Sequence, residues 1–212
     1  MIGFGFKRQP VATCPTGSPH RAAANEFSKE DREFLLRLAR EALQSVAARC
    51  DYAPVGDIPA QLLEPRACFV TLRKAGRLRG CIGNIFPKSP LVDAVISNTV
   101  AAATRDSRFA PMDGSEEPFI EVELSILSYP VPVEFATEEE LLHKLRPGVD
   151  GVVLRIGNVN STFLPNVWEQ LPDPRDFLGQ LSRKAGLDSD AWRGGDAGIS
   201  VYQAETFSET AY

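Results

Sequence analysis

Cys81 sits between Gly80 and Gly83 in the run Leu78-Arg79-Gly80-Cys81-Ile82-Gly83, with Arg77 just upstream. The thiolate is the reactive form of cysteine, and nearby cations favour it. Glycines on either side let a ligand or another segment come close to the backbone. Cys81 is therefore the candidate catalytic residue, as a nucleophile, a redox thiol or a group that contacts a ligand. The plain alternative is a small buried hydrophobe in a tight hairpin, a common use of cysteine. The chain has two histidines, His20 and His143, both far from Cys81 in sequence. An activated thiol here would thus depend on arginines or a helix end rather than on a histidine base.

Other residues suit an anion. The Arg79 guanidinium matches carboxylate and phosphate, and the backbone amides at Gly80 and Gly83 could join it as a nest; otherwise Arg79 is a surface arginine on a hairpin. Arg105, Asp106 and Arg108 follow an Ala-rich segment. They read either as a helix-terminal ion pair, with Phe109 in the core, or as a setting that brings Arg108 beside Cys81. Lys184 ends a helical pattern, where a cation is favoured anyway, or it binds the anion. Glu121 and Glu123 share a strand face and suit acid–base or metal chemistry; a solvated sheet face explains them equally simply. Phe163, Leu164, Pro165 and Trp168 read as core and turn packing, or as the cap of an apolar pocket.

The elements that would position these groups follow from spacing. Ser28-Lys29-Glu30-Asp31 has the form of a helix cap, and Phe34, Leu35, Leu38, Ala39, Ala42, Leu43, Val46 and Ala47 recur at helical intervals up to about Arg49. Cys68 to Leu72 and Leu78 to Gly83 read as a hairpin turning at Lys74-Ala75-Gly76-Arg77. With a two-residue turn at Ala75-Gly76, Cys81 faces Val70, Arg79 faces Leu72, and Arg77, Arg79 and Cys81 share a face. Cys68 then lies diagonal to Cys81, near the reach of a disulfide. Leu91 to Thr104 is a buried helix. Phe119 to Leu127 alternates, with Ile120, Val122, Leu124 and Ile126 on one side. Thr137 opens a helix over Leu141, Leu142 and Leu145. Gly151 to Ile156 and Ser161 to Leu164 form a second hairpin around Gly157-Asn158. Asp176 to Lys184 is a helix closed by Gly186, and Gly198 to Phe207 is one last strand. Hairpins and irregular loops, rather than strand–helix–strand alternation, point to an α+β fold with antiparallel sheet.

The totals exclude several classes. A net charge of −5 over 212 residues argues against a dedicated nucleic-acid binder. No apolar run approaches the ~18 residues of a membrane helix, and the N-terminus shows no signal-peptide pattern, so the expected location is cytoplasmic. Cys14, Cys50, Cys68 and Cys81 match no zinc or redox spacing and read as free thiols. No cofactor and no metal site is expected. Residues 1–25 read as a mobile tail and residues 26–210 as a single domain.

Four segments in order resemble the AMMECR domain family, also called AmmeMemoRadiSam system protein A. They are Leu78-Arg79-Gly80-Cys81-Ile82-Gly83, then Ala103-Thr104-Arg105-Asp106-Ser107-Arg108-Phe109-Ala110-Pro111, then Glu121-Val122-Glu123-Leu124-Ser125, and finally Phe163-Leu164-Pro165-Asn166-Val167-Trp168 with Phe177-Leu178 and Arg183-Lys184-Ala185-Gly186. Asn166 departs from the glutamine common in the family. The resemblance spans roughly Ser28 to Phe207. It implies antiparallel sheets with flanking helices, in one domain of two unequal lobes with a groove between them. It also implies work alongside a Memo-like protein and a radical-SAM protein.

Two functions follow as expectations. In the first, a small anionic substrate binds in the inter-lobe groove through Arg79, Gly80, Gly83, Arg108 and Lys184, with Cys81 as a reactive thiol. In the second, the protein is a non-catalytic scaffold, or presents a substrate to its partners. Membrane binding is not expected, and nucleic-acid binding runs against the charge.

Overall fold

Ser28 opens the first helix through a reciprocal cap. Its hydroxyl accepts the Asp31 N–H, and the Asp31 carboxylate accepts the Ser28 N–H, each at 3.1 Å. The helix, α1 (Lys29–Ala48), ends at Arg49, which adopts the left-handed conformation (φ 55°). The computed structural model describes residues 26–54 and 56–211; the tail expected over residues 1–25 lies outside them.

The expected hairpin is present as β1 (Ala67–Lys74) and β2 (Arg77–Gly83), turning at Ala75 (φ 51°) and Gly76 (φ 74°). Two successive positive φ angles match the right-handed twist of a two-residue hairpin. The register differs from the regular one. Lys74 faces Arg77 and Arg73 faces Leu78, but Leu72 then faces Gly80, so Arg79 is an extra residue. Cys81 consequently faces Thr71 instead of Val70, and Arg79 faces no partner residue. The bulge also breaks the alternation that was to put Arg77, Arg79 and Cys81 on one face.

After β2 come α2 (Leu91–Thr104) and β3 (Ile120–Leu127). The chain continues through β4 (Val131–Pro132), α3 (Glu138–Lys144), β5 (Gly151–Ile156), β6 (Val159–Phe163) and α4 (Pro174–Lys184) to β7 (Ala197–Tyr202) and β8 (Ala204–Ser208). Two antiparallel four-stranded sheets result, in the orders β2-β1-β3-β8 and β4-β7-β5-β6. The fold is α+β, as expected. The single strand expected over 198–207 is two strands in different sheets. Gln203 makes the break, because its N–H donates to the Ser128 hydroxyl and its carbonyl accepts the Ser128 N–H, each at 2.9 Å. Those bonds draw the chain from one sheet to the other.

The larger core lies between the first sheet and helices α1 and α2. Ile120, Val122, Leu124 and Ile126 enter it from β3, and Val70 and Leu72 from β1. The second sheet packs Val152, Leu154 and Ile199 against Phe177, Leu178 and Leu181 of α4. Between the sheets, Ala67 and Leu127 of the first meet Val153 and Tyr202 of the second. That small shared cluster fixes how the face of the first sheet that carries Cys81 stands toward β6 and α4.

Candidate functional site

Cys81 lies on the edge strand β2, whose outward backbone groups need partners. Asp106, just past α2, supplies one: its Oδ2 accepts the Cys81 N–H at 2.8 Å. Arg108 supplies the other, with Nη2 donating to the Cys81 carbonyl at 3.3 Å. Arg108 also clamps Asp106, with Nε 3.0 Å from Oδ1 and Nη2 2.7 Å from Oδ2. The Asp106 side chain is only 4% exposed. Its hydrogen bonds from Arg108, joined by the one from the Cys81 N–H, hold the carboxyl far below the usual carboxylate range despite burial. The ion pair forms, and it forms beside Cys81, but Phe109 does not enter the core: it is half-buried, with the guanidiniums of Arg79 and Arg108 over its ring.

On the face of the sheet, the Thr71 hydroxyl donates to Cys81 Sγ at 3.3 Å. Cys68 lies on the opposite face, fully buried in the main core, with its thiol pushed up to about 12 by burial. Opposite faces rule out the diagonal pairing of Cys68 with Cys81 that the regular register would have allowed.

Lys184, the last residue of α4, reaches this region from the second sheet's side. Its ammonium donates to the Thr162 carbonyl at 2.9 Å and sits 5.0 Å from the centre of the Phe163 ring. Burial lowers its pKa, and the positive charge of Arg108 lowers it further. The two cations thus feel one another's charge, Arg108 from the Cys81 carbonyl and Lys184 from the Thr162 carbonyl.

Arg79 is placed differently. Its guanidinium grips Glu116 through Nη2 at 2.9 Å and Nε at 3.1 Å, and Nη2 also reaches the Ala110 carbonyl at 3.1 Å. Lys74 joins the same carboxylate at 2.9 Å. Two cations push Glu116 down to about 2. A carboxyl lowered on folding stabilises the protein above its ordinary value of 4.5, and that contribution is lost as the pH falls through about 2. Urea midpoints measured between about pH 6 and about pH 2 should therefore show Glu116→Gln clearly weaker at the upper end and converging on the parent at the lower. A difference that does not change with pH would count against this account.

The close approach that Gly80 and Gly83 permit is taken up by the protein's own atoms. A Cβ on Gly80 would lie 2.2 Å from the Ala102 carbonyl oxygen of α2, and one on Gly83 would lie 2.4 Å from the Phe69 ring. Trp168 is core. It stacks on Phe177 at 3.7 Å, and its indole N–H donates to the Asp150 carbonyl at 2.6 Å. Glu123 pairs loosely with Arg73 at 3.6 Å, and Glu121 accepts the Thr210 hydroxyl. Among the described residues, no group of three or more His, Cys, Asp or Glu is placed to hold a metal ion, and no helix is long and apolar enough to cross a membrane.

The structure thus puts Arg108 on Cys81, holds Lys184 on the Thr162 carbonyl, leaves Arg79 on Glu116, and adds Asp106 and Thr71 as direct partners of Cys81. The position of Asp106 directly before the Ser107-Arg108 pair was the available signal for its role. Thr71 had none, because the bulge that brings it to Cys81 leaves no trace in the sequence.

Comparison with known proteins gives a consistent result. Residues 36–207 match the family model described as AMMECR1. A protein of Thermofilum pendens is 38% identical over 196 residues, covering 87% of this chain and 92% of its own length. One from Methanosarcina barkeri is 42% identical over 147 residues, covering 69% and 72%. The crystal structure of an uncharacterized protein from Pyrococcus horikoshii superposes with a TM-score of 0.80 at 35% identity, covering 86% of this chain and 93% of that one.

Proposed function

We propose, for a chain that belongs to the AMMECR1 family, that Arg108 and Lys184 bind a small anionic ligand in a groove between the two sheets, with Cys81 alongside it. One observation carries this reading. Arg108 is held at the Cys81 carbonyl, and Lys184, whose pKa the charge of Arg108 lowers, has a carbonyl rather than a carboxylate as its acceptor. Arg108 uses Nε and Nη2 on Asp106 and the Cys81 carbonyl, which leaves Nη1 for a ligand. An anion accepting from both would relieve their repulsion. Two cations less the charge of Asp106 leave one positive charge, which suits a monoanion such as a carboxylate.

In this reading Cys81 is the group that the bound ligand meets, as a reactive thiol or as a contact. The proposed partners are a Memo-like protein and a radical-SAM protein, which would supply or consume the ligand. The test is titration calorimetry with hexanoate on the full chain, with Lys184→Ala and Arg108→Lys alongside. The expected result is binding weakened about tenfold or more in each variant, a typical loss for a charged hydrogen bond. Affinity equal to the parent's in both variants, or no binding to the parent protein, would overturn the proposal. The scaffold reading predicts that Cys81→Ser leaves the activity of the assembled partners unchanged.

A further inference from the structure

The strand register places a row of polar side chains across the whole first sheet. Cys81 faces Thr71, Thr71 faces Glu123, and Glu123 faces Ser208. These residues lie on the face turned away from α1 and α2, because their neighbours Val70, Leu72, Val122 and Leu124 fill the core on the other side. The row begins at the edge strand, where Arg108 meets the Cys81 carbonyl.

Glu123 carries the row's one carboxyl group. Arg73 stands 3.6 Å away, beyond a hydrogen bond, so the ion pair leaves the carboxylate oxygens open to a donor. Glu121, two residues before it on the same face, is engaged by the Thr210 hydroxyl. From Cys81 to Glu123 is two strand spacings, about 10 Å. A ligand held at its anionic end by Arg108 and Lys184 and lying along the row would meet the half-buried Cys81, pass the largely buried Thr71 and end at Glu123.

We infer that the ligand is a carboxylate carrying a hydrogen-bond donor, an ammonium or a hydroxyl, at its far end, and that Glu123 receives that donor. This inference rests on the anion site proposed above. A donor meeting a carboxylate makes the stronger kind of hydrogen bond, whereas an apolar end would cover Glu123 and leave it only the loose pairing with Arg73.

The test compares hexanoate, 6-hydroxyhexanoate and 6-aminohexanoate by calorimetry on the full chain and on Glu123→Gln, with circular dichroism to confirm that the variant is folded. The parent should bind the better donor-bearing acid about tenfold more tightly than hexanoate. Glu123→Gln should lose that preference and keep its affinity for hexanoate. If all three acids bind the parent equally, this inference falls and the anion site stands. A preference that survives in Glu123→Gln would take the role from Glu123. If none of the three binds, the anion site fails and this inference fails with it.

Discussion

Gly80→Ala should be among the most damaging single substitutions in this chain, costing about 3 kcal/mol or more of stability. Overpacking a core generally costs about 1–3 kcal/mol, and this site belongs at the top of that range. The added methyl would lie 2.2 Å from the Ala102 carbonyl oxygen, a backbone atom inside α2. A side chain could rotate away, but a helix carbonyl moves only with its helix. Moving α2 would lift Leu91, Val95 and Ala103 off the core of the first sheet. Urea denaturation followed by circular dichroism measures the effect, with Gly195→Ala as control, since nothing lies within 4 Å of a methyl there. The control should stay within about 0.5 kcal/mol of the parent. An unchanged midpoint for Gly80→Ala would mean that α2 does not sit against β2 this closely.

Replacing Asp106 is the second large effect, and two variants separate its two jobs. Asp106→Ala leaves the Cys81 N–H without its partner and frees Arg108 from its clamp. An unsatisfied buried donor costs about 1–3 kcal/mol; the Cys81 N–H is part-buried, and Arg108, half exposed, recovers part of its loss from water. A net loss of about 2 kcal/mol is expected. Asp106→Asn keeps an oxygen for the Cys81 N–H but removes the charge, so it should lose less stability while still misplacing Arg108. Hexanoate affinity should then fall in both variants, although neither touches the ligand. The pH dependence carries a definite sign. The Asp106 carboxyl is lowered on folding, so its contribution is complete above the ordinary carboxylate range and fades only as the pH falls well below it. The gap between the parent and Asp106→Asn should accordingly narrow in acid. Stability of Asp106→Ala equal to the parent near neutral pH would show that the edge strand does not depend on this bond.

The sequence made some of this legible and hid the rest for physical reasons. Capping chemistry is local, so Ser28 and Asp31 announced α1. Alternation is local too, so Ile120 to Ile126 announced the buried face of β3. The hairpin turns at Ala75-Gly76, as its residues predict, yet Cys81 faces Thr71 and not the Val70 that a regular ladder from this turn implies. One unpaired residue at Arg79 shifts everything beyond it, and the partner Arg79 finds there is distant: Glu116, which follows in the chain only after α2. How Arg108, on the first sheet's side, stands toward Lys184, on the second's, likewise depends on how the two sheets meet, through Ala67, Leu127, Val153 and Tyr202. No local pattern encodes that contact. Gln203 shows the same limit, since the run from Gly198 to Phe207 reads as continuous while a bond to Ser128 divides it.

The placement of β8 beside β3 bears on the order in which the protein can be completed during synthesis. The strands that flank β3 are β1, made earlier, and β8, which begins only at Ala204. All four strands of the second sheet leave the ribosome in between. Throughout that interval β3 presents an unpaired edge, the kind of surface on which nascent chains pair wrongly. Closure waits for β8 and the residues that follow it. Glu205 then meets Arg32, and Glu209 meets Arg40 and the Val122 N–H. A chain cut short before Ala204 would carry every residue of the candidate site and still lack the strand that seals its supporting sheet.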